Sequence, residues 1–228
     1  MNLAKPYVDI GLNTNNLGAM LDFWQNQAGL KFDHVLPIRK GMQQHRHDAL
    51  GSVVKINHHA EPLPVAPPAG YVELIIARDG IAVPKTLRDP DGNALTLVAP
   101  GTFAVRQVAI RLNVRDIDAH RSFYVAGLGL REEPAEHGAA FRAGETLLLL
   151  EQSSGAPSDA GMVGKGWRYI TFQVFKVDEE HPRILAHGGR EAMKPTTLGT
   201  TARISMVRDP DGNWIEISQR ASLTGSLE

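Results

Sequence analysis

The chain has 228 residues, no cysteine, and 24 Lys and Arg against 25 Asp and Glu. The lack of cysteine excludes disulfides, thiolate metal sites and cysteine nucleophiles. The near-neutral balance gives no field toward nucleic acid or an anionic membrane. No apolar run reaches spanning length, and Met1 to Pro6 carries no apolar signal core. The expectation is therefore a cytoplasmic protein handling a small molecule, long enough to bury roughly 70% of its unfolded surface.

In chain order, Tyr7 to Asn13 alternates apolar and polar residues and predicts a strand with one buried face. Asn15 or Asn16 then caps a helix carrying Leu17, Met20, Leu21 and Trp24, stopped by Gly29. His45 and His47 fall in a polar stretch between strands. A strand from Gly51 to Asn57 follows, with Lys55, Asn57 and His59 on one face. Tyr71 to Ala77 is another strand, and Asp89-Pro90-Asp91-Gly92-Asn93 is turn chemistry: Pro presets φ, and Gly accepts a positive φ. Past Pro100-Gly101, a strand runs from Gln107 to Val114, and Asp116 caps a helix with Ile117, Phe123 and Tyr124, stopped by Gly127 or Gly129. The strand Tyr169 to Val174 precedes a helix near 178–187, where Pro182 is tolerable only close to the first turn. A second turn, Asp209-Pro210-Asp211-Gly212-Asn213, leads into a last strand at Trp214 to Ser218.

Two stretches repeat in the same order. Val8 to Asn13 matches Val108 to Asn113, and Leu87 to Asn93 matches Val207 to Asn213. The chain thus divides into two related domains, 5–100 and 104–222. Each holds two βαβββ units, and the second unit of the first domain lacks its helix, because Ala77 to Leu87 is too short to hold one and return. The fold class is α+β, with helices on the apolar face of each sheet. If a sheet curls, its polar face becomes a cup.

The paired units, the Asp-Pro-Asp-Gly turn before Trp214-Ile215-Glu216-Ile217, and Phe123-Tyr124 before Gly127-Leu128-Gly129-Leu130 resemble the vicinal oxygen chelate superfamily of glyoxalases, bleomycin resistance proteins and extradiol dioxygenases. The resemblance implies a curved mixed sheet whose cup holds a divalent metal (Mn, Mg, Fe, Ni or Zn) or, in metal-free members, none. Carried onto this chain, its ligand positions are Gln107, Leu148, Tyr169 and Glu216 in the second half, and Tyr7, Lys55, Glu73 and Thr96 in the first. Gln107, Tyr169 and Glu216 are the metal candidates, with His59 as an alternative. Leu148 cannot ligate, and Lys55 and Glu73 are positioned to pair across the first cup. The two-histidine, one-carboxylate set of an iron-dependent ring-cleaving dioxygenase is missing at these positions.

Two functions stand foremost, with a ring-cleaving extradiol-type dioxygenase as a third alternative that the missing ligand set disfavours. One is an enzyme on a small carbonyl or aromatic metabolite, with lyase or isomerase chemistry. Glu216 is then a ligand or base, Arg111 holds a carboxylate or phosphate, and Asn113, Tyr169, Thr171, Gln173 and Trp214 shape the pocket. The other is a metal-free protein that sequesters a small molecule. His120, His181 and His187 fall on helices and are expected to face solvent. Whether the halves close on each other, or on a partner chain in a homodimer, is left open.

Overall fold

A computed structural model describes residues 1–227, and in it the alternating segments are strands and the capped ones helices. The first unit is β1 (Leu3–Thr14), α1 (Leu17–Asp22) with a wider π-type turn over Phe23–Gln27, β2 (Lys31–Arg39), β3 (Met42–Ala49) and β4 (Ser52–His59). The second is β5 (Tyr71–Ala77), β6 (Lys85–Arg88) and β7 (Ala94–Val98), with no helix after β5, as its short connection requires. A single 3-10 turn, Thr102–Ala104, leads to the third unit: β8 (Val108–Val114), α2 (Ile117–Ser122), extended by a π-type turn over Phe123–Gly127, β9 (Arg131–Glu133), β10 (Ala139–Ala143) and β11 (Thr146–Gln152). The fourth is β12 (Gly166–Val174), α3 (Val177–Ala186), β13 (Arg190–Leu198), β14 (Ala202–Arg208) and β15 (Trp214–Arg220), followed by α4 (Ala221–Thr224).

Local chemistry explains the element ends. Asp116 Oδ1 accepts from the backbone N–H of Asp118 and Ala119 at 2.9 and 3.0 Å, the N-cap expected of α2. Asn16 precedes α1 but makes no side-chain cap; Asn15 instead donates Nδ2 to the carbonyls of His59 and Glu61, tying the helix start to the end of β4. In both Asp-Pro-Asp-Gly turns the first Asp, Asp89 or Asp209, accepts two backbone N–H groups and the Asn side chain that closes the turn. Pro182 sits beyond the first turn of α3, where the helix nevertheless continues to Ala186. His45 and His47 belong to β3 and are buried, not loop residues, because β3 pairs with β4 along its whole length.

The strands form an eight-stranded sheet, ordered β13-β14-β15-β12-β1-β4-β3-β2, and a seven-stranded sheet, ordered β6-β7-β5-β8-β11-β10-β9. The halves close on each other: the outer units share the first sheet, through antiparallel β1 and β12, and the inner units share the second, through β5 and β8. One continuous core lies on the helix side, where Ile10, Leu12, Leu74, Ile110 and Phe172 meet Met20, Trp24, Phe123, Tyr124 and Ile184. Leu148 points into this core, while Leu147 and Leu149 face the other way. Two helix histidines are also buried. His120 lies 3.4 Å from Asp209 Oδ2, and His181 is within hydrogen-bond distance of Ser205 and Glu191, so the expected solvent-facing roles do not hold for them. Among the described residues no helix is long and apolar enough to cross a membrane.

Candidate functional site

Period-2 alternation sends Asp9, Gly11, Lys55, Tyr169, Thr171, Gln173 and Glu216 to the concave face of the eight-stranded sheet. The register makes them neighbours: Asp9 lies opposite Thr171, Thr171 opposite Glu216, and Gly11 beside both Lys55 and Tyr169. Gly11 is required there, because a Cβ would fall 2.2 Å from the Tyr169 ring. The ring lies flat across β1 only because that strand carries no side chain at this point.

A lysine occupies the centre. Lys55 Nζ donates to Thr171 Oγ1 at 2.6 Å and to Glu216 Oε2 at 3.1 Å, and Thr171 Oγ1 lies 2.9 Å from the same carboxylate oxygen. Burial pushes the Lys55 ammonium below its ordinary pKa, while Glu216 and Asp9 work to hold the proton. Beside it, Asn57 and Gln44 donate to the Tyr169 hydroxyl, and burial raises that phenol's pKa. Asp9 Oδ1 accepts from Lys5 Nζ at 2.7 Å and from the Val53 N–H at 2.9 Å.

Cations exceed carboxylates below the rim of this cup. Lys5, Arg46, Lys55 and Arg220 are set against Asp9 and Glu216, with Asp33 also acting on Arg220. Arg46 is 6% exposed; its Nη1 donates to the Gln44 side-chain oxygen at 2.8 Å, and its Nε is left unsatisfied. Among the described residues Arg220 has no carboxylate at ion-pair distance, and burial followed by the nearby Arg46 lowers its pKa. Asp9 Oδ2 and Gln173 Oε1 are likewise buried without a partner. Buried polar groups are nearly always satisfied, so this gathering of orphans on one concave face marks a place built for something polar.

The residues singled out from sequence divide between the sheets. Tyr169, Thr171, Gln173, Trp214 and Glu216 lie on β12 and β15 in the eight-stranded cup, where His59 stands at the end of β4 with an unpartnered Nε2. Trp214 Nε1 donates to the Ala160 carbonyl at 2.8 Å, and the Arg208 guanidinium stacks 4.2 Å over its ring. Arg111 and Asn113 belong to β8 of the seven-stranded sheet and Gln107 directly precedes that strand, so Gln107 is not brought to Tyr169 and Glu216. The expected Lys55–Glu73 pair is replaced by two others: Lys55 meets Glu216, and Glu73 accepts from Arg111 Nε at 2.7 Å. Asp9, Arg46 and Arg220 were not singled out. Alternation alone could have found Asp9 and Arg220, two places from Gly11 and Ser218, whereas Arg46 was hidden in a stretch read as loop.

The donor set does not fit a divalent metal. Glu216 Oε2 already accepts from an ammonium and a hydroxyl, and Lys55 would bring a like charge into the site. No three His, Asp or Glu side chains converge among the described residues.

The sequence profile of the Glyoxalase/Bleomycin resistance protein/Dioxygenase superfamily matches residues 106–217. A point mutant of glyoxalase I from Zea mays superposes with a TM-score of 0.77 at 15% identity, covering 98% of this chain and 96% of that one. Glyoxalase I from Zea mays itself gives 0.73 at 16% identity, over 94% and 92%. At such identities the likeness speaks for the fold. No curated protein matches the chain in sequence.

Proposed function

We propose, for a chain that belongs to the Glyoxalase/Bleomycin resistance protein/Dioxygenase superfamily through residues 106–217, that the eight-stranded cup is an active site for a small oxygenated carboxylate. The observation that carries this reading is a buried guanidinium, Arg46, beside a half-buried one, Arg220, neither at ion-pair distance from a carboxylate among the described residues. A buried cation without a counter-ion is costly, and a planar fork suits a carboxylate. The ligand completes the ion pairs that the chain leaves open.

Chemistry follows from what lies beside them. A carbonyl placed against Lys55 Nζ displaces the Lys55–Glu216 contact and frees the Glu216 carboxylate. Glu216 takes the proton from the carbon next to the carbonyl, and Lys55 stabilises the negative oxygen that forms. Return of a proton to the same carbon gives exchange, and Lys55 and Glu216 suffice for both steps. Thr171 keeps Glu216 oriented, and the buried polar groups of Tyr169, Gln173 and Asn57 shape the pocket.

The test is deuterium exchange at the carbon beside the carbonyl, followed by proton NMR in D2O over a panel of three- to six-carbon 2-oxo carboxylates. The protein should accelerate exchange for at least one, and Glu216→Gln should lose that acceleration. Wild-type exchange in Glu216→Gln removes Glu216 from the mechanism. Saturable binding with no exchange supports sequestration without chemistry, a reading favoured by the two donors that already hold Glu216.

A further inference from the structure

The concave face of the seven-stranded sheet is built differently. Ile75, Val98, Val105, Ala109, Leu147 and Leu149 form a buried apolar cluster separate from the main core. Above it opens a cavity of about 510 Å³ between the Phe103–Ala104 turn and the Pro134–His137 loop. This volume is within the range that small-molecule sites occupy. Phe103 and Ala104 both hold left-handed backbone, at φ 53° and 60°, a conformation that residues with a Cβ adopt only when their surroundings impose it. That turn sets the half-exposed Phe103 ring at the mouth, 6.0 Å from the Arg111 guanidinium.

Charge identifies the occupant. Arg111 is the cation among the lining side chains, but Nε donates to Glu73 at 2.7 Å and Nη1 pairs with Glu151. Its positive charge is therefore neutralised within the fold, which removes the role of holding a carboxylate or phosphate that the sequence suggested. Glu136 also lines the cavity; among the described residues no arginine or lysine pairs with it, and its ionisable neighbour is His137 of the same lining, with Nε2 3.9 Å away. Around the apolar floor one guanidinium thus faces two lining carboxylates, Glu136 and Glu151, and is paired on its far side with Glu73 outside the lining.

We propose that this cavity is a second ligand site and that it takes an apolar amine. The hydrocarbon or aromatic body of the ligand rests on Leu147, Leu149 and Ala140 beneath Phe103. Its ammonium group faces Glu151 and Glu136, within reach of the face of the half-exposed Phe103 ring for a cation–π contact. The site is independent of the carboxylate cup, because none of its lining residues belongs to the eight-stranded sheet.

The experiment compares two ligands of the same shape and opposite charge, 1-naphthylmethylamine and 1-naphthylacetate, by isothermal titration against the full chain. The amine should bind at one site at least tenfold more tightly than the acetate. Glu151→Gln, an exposed change that leaves the floor intact, should weaken the amine about fivefold and narrow that ratio. Ala140→Phe fills the floor and should abolish amine binding, with folding verified by its melting transition. The proposal is overturned if the acetate binds as well as the amine, if neither binds, or if the amine affinity is unchanged in Glu151→Gln.

Discussion

Lys55 Nζ sits 3.1 Å from Glu216 Oε2, joining an ammonium on the first unit to a carboxylate on the last. This pair crosses β4, β1, β12 and β15 and ties together the two ends of the chain inside one sheet. Breaking one side leaves the other charge buried. Lys55→Met and Glu216→Gln are each expected to destabilise by about 3 kcal/mol, and the double variant by much less than their sum. Urea denaturation of the four proteins of this cycle measures the coupling; additive losses would show that the pair contributes nothing.

Arg46 should behave in the opposite way. Its guanidinium is buried against a neutral amide, so Arg46→Met relieves a desolvated charge while keeping much of the aliphatic packing. The melting temperature is expected to stay the same or to rise by about 2–4 °C. A residue whose removal stabilises the fold but abolishes ligand binding is retained for the ligand. A clear drop in melting temperature would assign Arg46 to the scaffold.

Two buried histidines give opposite pH dependences. Burial, reinforced by His45, lowers the His47 pKa from 6.5 to about 4. The unfolded chain then binds a proton that the folded one refuses, and stability falls as pH drops from 6.5 toward 4, by about 3 kcal/mol in all. For His120, burial works to lower the pKa, but Asp209 and Asp211 overcome it and the net shift is upward. Its contribution is complete below the unfolded value of 6.5 and disappears as pH rises through the higher folded value. Chemical denaturation between pH 4 and 8 should therefore show a flatter acid limb for His47→Gln and a flatter limb above pH 6.5 for His120→Gln. Unchanged limbs would contradict both assignments.

The sheet pairing also bears on fragments. Residues 104–222 alone lose β1 from β12 and β5 from β8, exposing two long strand edges. If β8 of one copy then pairs with β12 of another, the fragment is a dimer by light scattering. A cooperative, stable monomer would show that the second half completes its own sheet.

Much of this architecture is legible from residue patterns. The repeated Asp-Pro-Asp-Gly turn places the last hairpin of each half. Asp116 starts α2, and the short connection after Ala77 forecasts the missing helix. Alternation states correctly that Tyr169, Thr171 and Gln173 share one face of β12 and that Trp214 and Glu216 share one face of β15. What alternation cannot state is which strand lies alongside, because a face is a property of one strand and pairing is a property of two. Lys55 therefore looked toward Glu73 in its own half, although the sheet sets it against Glu216, and Gln107 was grouped with a cup that it does not enter. His120 defeated the helix-surface expectation for a related reason: its partners, Asp209 and Asp211, are supplied by a turn far along the chain.

The measurement closest to the central claim is an isothermal titration of wild type and Arg46→Met with pyruvate and 2-oxoglutarate. Wild type should bind at least one of them at a single site, and Arg46→Met should bind it roughly ten- to a hundredfold more weakly, as expected for a lost charge-assisted hydrogen bond. Equal affinity in the two proteins, or no binding of either carboxylate to wild type, would contradict the assignment of the eight-stranded cup as an anion site.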